Sequence, residues 1–147
     1  MSKQITNNRK AYYEYQILET YVAGIQLKGT EVKSIKANNV NITEAFCVIT
    51  NSEVFIRNMH VSEHKQGGKY YNHDPLRERK LLLTKKEISD LSDKVKQKGL
   101  TIVPLAILLS DTGFIKFEIG LAKGKKTYDK RETLKNKDLE RDLKRKI

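Results

Sequence analysis

The sequence has one cysteine and two prolines among 147 residues. It has no apolar run approaching the ~18 residues needed to cross a bilayer. A lone cysteine rules out an internal disulfide. Cys47 lies between Phe46 and Val48 and reads as a buried strand residue. The opening "MSKQITNNRK" lacks the apolar stretch of a secretory signal. The expectation is therefore a soluble, cytoplasmic protein without a membrane partner. There is no G-x-S-x-G, no P-loop and no Cys/His pair of recognisable spacing. Asp74, Glu78 and Glu87 share no evident pocket for acid–base work. His60, His64, His73 and Asp74 form a loose group, but a metal site needs about four converging ligands. The i, i+4 spacing of His60 and His64 falls on a strand end and a loop. No catalytic residue, cofactor or metal is expected, and no internal repeat is visible.

What the chain has is positive charge. Apolar residues make up 38% and charged residues 32%, with a formal net charge of +11. Residues 123–147 alone hold 11 Lys and Arg against 5 Asp and Glu. Such a balance favours a polyanionic partner, with nucleic acid ahead of an anionic membrane.

Apolar patterning is β-rich. "YYEYQILETYVAGIQL" suggests one long strand over 13–27, bent near Ala23 and Gly24. "GTEVKSIK" suggests a short helix, with Thr30 as cap and Val32 and Ile35 facing inward. "NITEAFCVIT" and "EVFIRNMHV" form a hairpin around Asn51 and Ser52. A loop of functional length follows over 62–79. "KLLL" is a short buried strand. "TKKEISDLSDKVKQKG" is a helix: Thr84 and Glu87 make a capping box, Ile88, Leu91 and Val95 a stripe, and Gly99 the C-terminal stop. "LTIVPLAILLS" and "FIKFEIGLA" are two strands turning at Asp111–Gly113, with a bulge or an unpaired N–H expected at Pro104. In the second, Ile115, Phe117 and Ile119 share one face, with Lys116 and Glu118 on the other. The class is mainly β. A small closed antiparallel barrel of the OB type is expected, with about six strands and flanking helices.

The apolar pattern stops after Ala122. Two parts follow: a barrel over 1–122 and a basic tail over 123–147. In the tail, Leu139, Leu143 and Ile147 recur at i+4 and give only a thin stripe. A helix of ~20 residues is marginal alone in water. The tail should be disordered when free and helical when bound. Aromatics mixed with cations suit RNA, where rings stack on bases and cations meet phosphates. Asn8, Arg9 and Lys10 beside Tyr12 and Tyr13 fit that pattern. So do Arg77, Arg79 and Lys80 beside Tyr70 and Tyr71, with His60 near the same surface.

Several stretches together resemble one family. "NRKAYYEYQILETYVAGIQLKGTEVKSIK", "NMHVSEH", "HDPLRERKLLL" and "GLAKGKKTYDKRETLK" occur in the order and spacing of the SsrA-binding protein (SmpB) family. The resemblance implies an OB-like barrel that binds the tRNA-like part of transfer-messenger RNA. It also implies a C-terminal tail that becomes a helix in the empty mRNA channel, near the decoding centre of the small ribosomal subunit. Partners are then transfer-messenger RNA and the ribosome, and the chain itself is a monomeric adaptor without enzymatic activity. The family's barrel residues match Asn8, Arg9, Lys10, Tyr15, Glu31, Lys33 and Leu82. Its tail motif, following Lys123, matches Gly124, Lys125, Lys126, Asp129, Lys130 and Arg131.

Three positions depart from the resemblance. Val22 stands where many members have a glutamate that assists RNA binding, Thr84 where Asn or His is common, and Tyr128 where a histidine is common. A tyrosine still stacks on bases, whereas valine removes an acceptor outright. The alternative reading is a general OB-fold RNA-binding or ribosome-associated protein.

Overall fold

Alternating apolar side chains need a closed surface to bury one face, and six strands here supply it. The computed structural model describes residues 3–63 and 73–124. In chain order the elements are β1 (Lys3–Asn7), α1 (Arg9–Glu14), β2 (Tyr15–Ile25), α2 (Gly29–Lys36), β3 (Val40–Asn41) and β4 (Phe46–Thr50). Then come β5 (Glu53–Arg57), β6 (His60–Val61), β7 (Arg79–Leu82), α3 (Lys85–Lys98), β8 (Thr101–Leu109) and β9 (Ile115–Gly124). The order β8-β4-β5-β7-β2-β9 closes on itself through β8–β9 pairing, making an antiparallel ring of six strands. β1 adds to the outside of β8, and β3 pairs only with β6.

The inward faces form one core that includes Ala23, Val54, Ile56, Leu81, Ile107, Phe117 and Ile119. Leu91 of α3 and Ile35 of α2 enter the same core from the two helices. The hairpin turn at Asn51 and Ser52 has φ of 52° and 62°. Two positive φ values match the right-handed twist of the flanking strands. At Pro104 the β8–β9 register shifts, which spares the ladder the missing N–H. Helix α3 starts and stops as its sequence dictates. The Thr84 hydroxyl accepts from the Glu87 N–H at 3.1 Å, and Gly99 is left-handed.

Three features differ from the patterning. Residues 3–14 form β1 and α1 rather than loop and strand start, so β2 begins at Tyr15. Over "NITEAFCVIT" the chain makes only the short β3, then turns before β4. At the other end β9 runs through Gly124, with Lys123 opposite Gln16 and Gly124 opposite Tyr15. Regular pairing thus continues two residues past the boundary expected at 122. The rest of the tail, including Lys125, Lys126, Tyr128, Asp129, Lys130 and Arg131, lies outside the described residues. So do His64, Tyr70 and Tyr71.

Candidate nucleic-acid interface

The first group of candidate residues sits on α1, which is anchored by Asn8. Its Oδ1 accepts from the Ala11 N–H at 3.1 Å, capping the helix. Its Nδ2 donates to the carbonyls of Ile42 (3.2 Å) and Pro104 (3.0 Å). Asn8 is buried and its side-chain amide is committed within the fold. What it delivers is the position of α1. Ala11 packs on Val103, Leu105 and Ala122, with Tyr15 and Ile17 at the edge. This small second core lies outside the ring and leaves Arg9 and Lys10 exposed. The Lys10 ammonium lies against the Glu44 carboxylate, with Glu14 at 3.9 Å. Exposed pairs of this kind contribute little to stability, so a phosphate can displace them.

The second group is a buried node around Glu31. Its carboxylate takes a forked pair of bonds from Arg77, with Nη2 at 2.7 Å and Nε at 3.2 Å. It also accepts from Arg79 Nε at 2.5 Å and from the Lys28 N–H at 2.7 Å. The last bond closes the N-terminus of α2, the task the sequence assigns to Thr30. Arg79 donates further to the carbonyls of Met59 (2.9 Å), Pro75 (3.2 Å) and Asp74 (3.3 Å). Glu31 and Arg79 are both 0% exposed. Burial pushes the Glu31 carboxyl up, but the bonds from Arg77, Lys28 and Arg79 outweigh it and hold the group at about 2.

Two of the expected RNA contacts, Glu31 and Arg79, therefore have no surface in this structure. They tie α2, β7 and the loop before β7 into one body, with Arg77 partly exposed at its rim. His73 works alongside them. Its Nε2–H donates to the Val61 carbonyl at 2.8 Å, and its Nδ1 meets the Thr30 hydroxyl at 2.8 Å. Both ring nitrogens are engaged, which accounts for His73 without a metal. Among the described residues no cluster of three His, Cys, Asp or Glu could hold a metal ion.

The third group lies on the outer face of the ring. In the β2–β9 pair, Ala23 opposes Phe117 and both are fully buried. Side chains alternate, so the next pair outward, Val22 opposite Glu118, faces the outside. Val22 is 52% exposed and Leu82 45%. Gly24 lets β7 approach: a Cβ there would lie 3.3 Å from the Leu82 Cβ. A shallow groove runs along this face, lined by Val22, Gly24, Lys80, Leu82, Lys85 and Lys116, with Thr84 at its edge. Lys80 is held at the rim by Glu53. Val22 and Thr84, two of the three departures noted in the sequence, thus line one groove. Lys33 and His60 are exposed on α2 and β6.

Patterning alone does not place Lys116 and Glu118 on this face beside Val22. The alternation of Lys116 and Glu118 was visible, but only strand pairing shows that Glu118 meets Val22. Among the described residues, no helix is long and apolar enough to cross a membrane.

A closed β-ring with a second core under α1 and an outer groove that mixes aliphatic, lysine and glutamate side chains defines a small ring protein. A profile of the SmpB protein family matches residues 5–147. The chain belongs to that family. It is 53% identical over 144 residues to the SsrA-binding protein of Gloeothece citriformis, covering 98% of this chain and 92% of that one. It is 53% identical over 143 residues to the SsrA-binding protein of Bacillus velezensis, covering 97% and 90%. A solved structure of tmRNA–SmpB, on its journey to the centre of the bacterial ribosome, is similar at TM-score 0.67 and 48% identity. It covers 82% of this chain and 83% of that one.

Proposed function

We propose that this chain is an RNA-binding adaptor that binds the tRNA-like domain of transfer-messenger RNA and carries it to stalled ribosomes. The observation that supports this most is the family match over 5–147, which takes in ring and tail together. The cytoplasm is its place of work. The ring offers the RNA surface. Arg9, Lys10, Lys33, Lys80 and the rim of Arg77 meet phosphates, while Tyr15, His60 and Leu82 contribute apolar or aromatic contact. Asn8, Glu31 and Arg79 act behind this surface by holding α1, α2 and β7 in place. The tail, from Lys123 and Gly124 through Lys125, Lys126, Tyr128, Asp129, Lys130 and Arg131, follows the vacant mRNA channel as a helix. Its density of cations supplies phosphate contacts, and the cost of ordering it keeps the free tail from binding elsewhere.

Competition binding tests the ring half of this reading. Purified chain is titrated with the tRNA-like domain in the presence of excess elongator tRNA, at low and at physiological salt. Binding that survives the competitor at the higher salt is expected, and shows that a valine at position 22 is tolerated. Equal loss to both RNAs would instead leave a general basic RNA-binding ring.

A further inference from the structure

The outer face carries a carboxylate that phosphate binding leaves unused. Glu118 is half-buried, directly opposite Val22 in the β2–β9 register and two residues from exposed Lys116. Tyr12 reaches it from α1. The Tyr12 phenol is held above its ordinary pKa by burial first, and then by the charge of Glu118, which also accepts its hydrogen bond. Tyr12 and Val22 are each about half exposed, so the carboxylate is bordered by a ring and an aliphatic side chain. Strand β9 is paired on both sides here. A Cβ at Gly120, the next outward position on β9, would lie 2.8 Å from Leu105 Cδ1 and 3.1 Å from Ile17 Cγ2. Leu105 of β8 and Ile17 of β2 thus sit over the bare Cα of Gly120, and β9 is paired to both strands beside Glu118.

An acid on a face that receives RNA repels phosphates. It is useful there only if it meets hydrogen-bond donors, and among RNA groups the base edges carry the best ones. A carboxylate has about four lone-pair sites, so one bond from Tyr12 leaves capacity for a ligand. Its two oxygens suit a pair of adjacent N–H donors, and guanine is the base that presents two, N1–H and N2–H, on its Watson–Crick edge. Single-stranded loops are where that edge is free.

We propose that Glu118, with Tyr12 beside it and Val22 opposite, forms a subsite for one unpaired guanine of the bound RNA. The carboxylate accepts from N1–H and N2–H, Tyr12 positions the carboxylate, and Val22 packs on the base. This rests on the RNA-binding reading above, and it places an acceptor next to position 22.

The experiment uses the full chain and the tRNA-like domain, measuring affinity against salt. Glu118→Gln keeps shape and removes charge. It is expected to weaken binding about tenfold without changing the salt slope, because no phosphate contact is lost. Replacing the unpaired guanosines of the RNA by inosine, which lacks the 2-amino group, is expected to weaken binding to the unaltered chain. It should cost Glu118→Gln nothing further. If Glu118 is merely a solvated acid, Glu118→Gln will bind as well or more tightly, with a steeper slope, and the proposal is overturned. An inosine penalty that is absent in the unaltered chain, or equal in both chains, overturns it as well. Failure of the unaltered chain to bind the RNA at all would remove the adaptor function and this subsite together.

Discussion

Glu31, Arg77 and Arg79 show how far residue identity can be separated from residue role. In the sequence, Arg77 and Arg79 read as cations beside aromatics that suit RNA, and the family resemblance adds Glu31 to that surface. The fold instead buries Glu31 and Arg79: Glu31 accepts from Arg77, Arg79 and the Lys28 N–H, and Arg79 donates to Glu31 and to three carbonyls. Periodicity cannot reveal this, since the partners are about 46 to 48 residues apart in the chain. A buried pair broken on one side leaves an uncompensated charge, typically costing about 3–5 kcal/mol. Arg79→Ala should therefore lower stability by that order in urea unfolding, and Arg79→Lys should not restore it, because a lysine cannot reproduce the fork. A loss below about 1 kcal/mol would contradict the node.

The same node sets a pH response. The Glu31 carboxyl is depressed from 4.5 to about 2 in the folded chain. Its contribution is complete above about pH 5 and drains away as pH falls towards about 2. The stability difference between the chain and its Glu31→Gln variant should shrink over that window. A difference constant with pH would show that the carboxylate charge is not what holds the node.

At the scale of elements, α3 was legible end to end, because cap, stripe and stop all point the same way. Thr84→Ala should cost about 1 kcal/mol through loss of the cap, read as a shift in thermal midpoint. An unchanged midpoint would mean the Glu87 side of the box suffices alone. Strand β8 was legible from its apolar run and β9, as far as Ala122, from alternation, and the register shifts next to Pro104. The elements that escaped were β1 and α1. A six-residue helix has no apolar period to read, and this one exists because Asn8 bonds to carbonyls of residues 42 and 104. Gly120 was silent for a similar reason, since its need for a bare Cα comes from Leu105 and Ile17 on two other strands. Gly120→Ala should destabilise by about 1–3 kcal/mol through overpacking. A neutral effect would mean that the second core can give way.

At the scale of the whole molecule, the closed ring and the basic balance followed from composition and patterning, while the outer groove did not. Val22 lies about 60 residues before Leu82 and Thr84 in sequence, and only the pairing of β2 with β7 brings them together. Long-range electrostatics should still be visible in solution. Arg9→Ala is expected to weaken binding to the tRNA-like RNA and to lower the magnitude of the salt slope by about one. An unchanged slope would take Arg9 out of the phosphate contacts.

The account turns on a division of labour between ring and tail, and one reconstituted comparison tests it. A chain ending at Gly124 keeps all the described strands and both cores. Its affinity for the tRNA-like domain is measured alongside its ability to support peptide tagging on ribosomes stalled without downstream mRNA. Near-full affinity and no tagging are expected. Tagging that persists without the tail, or affinity and tagging lost in equal measure, would contradict it.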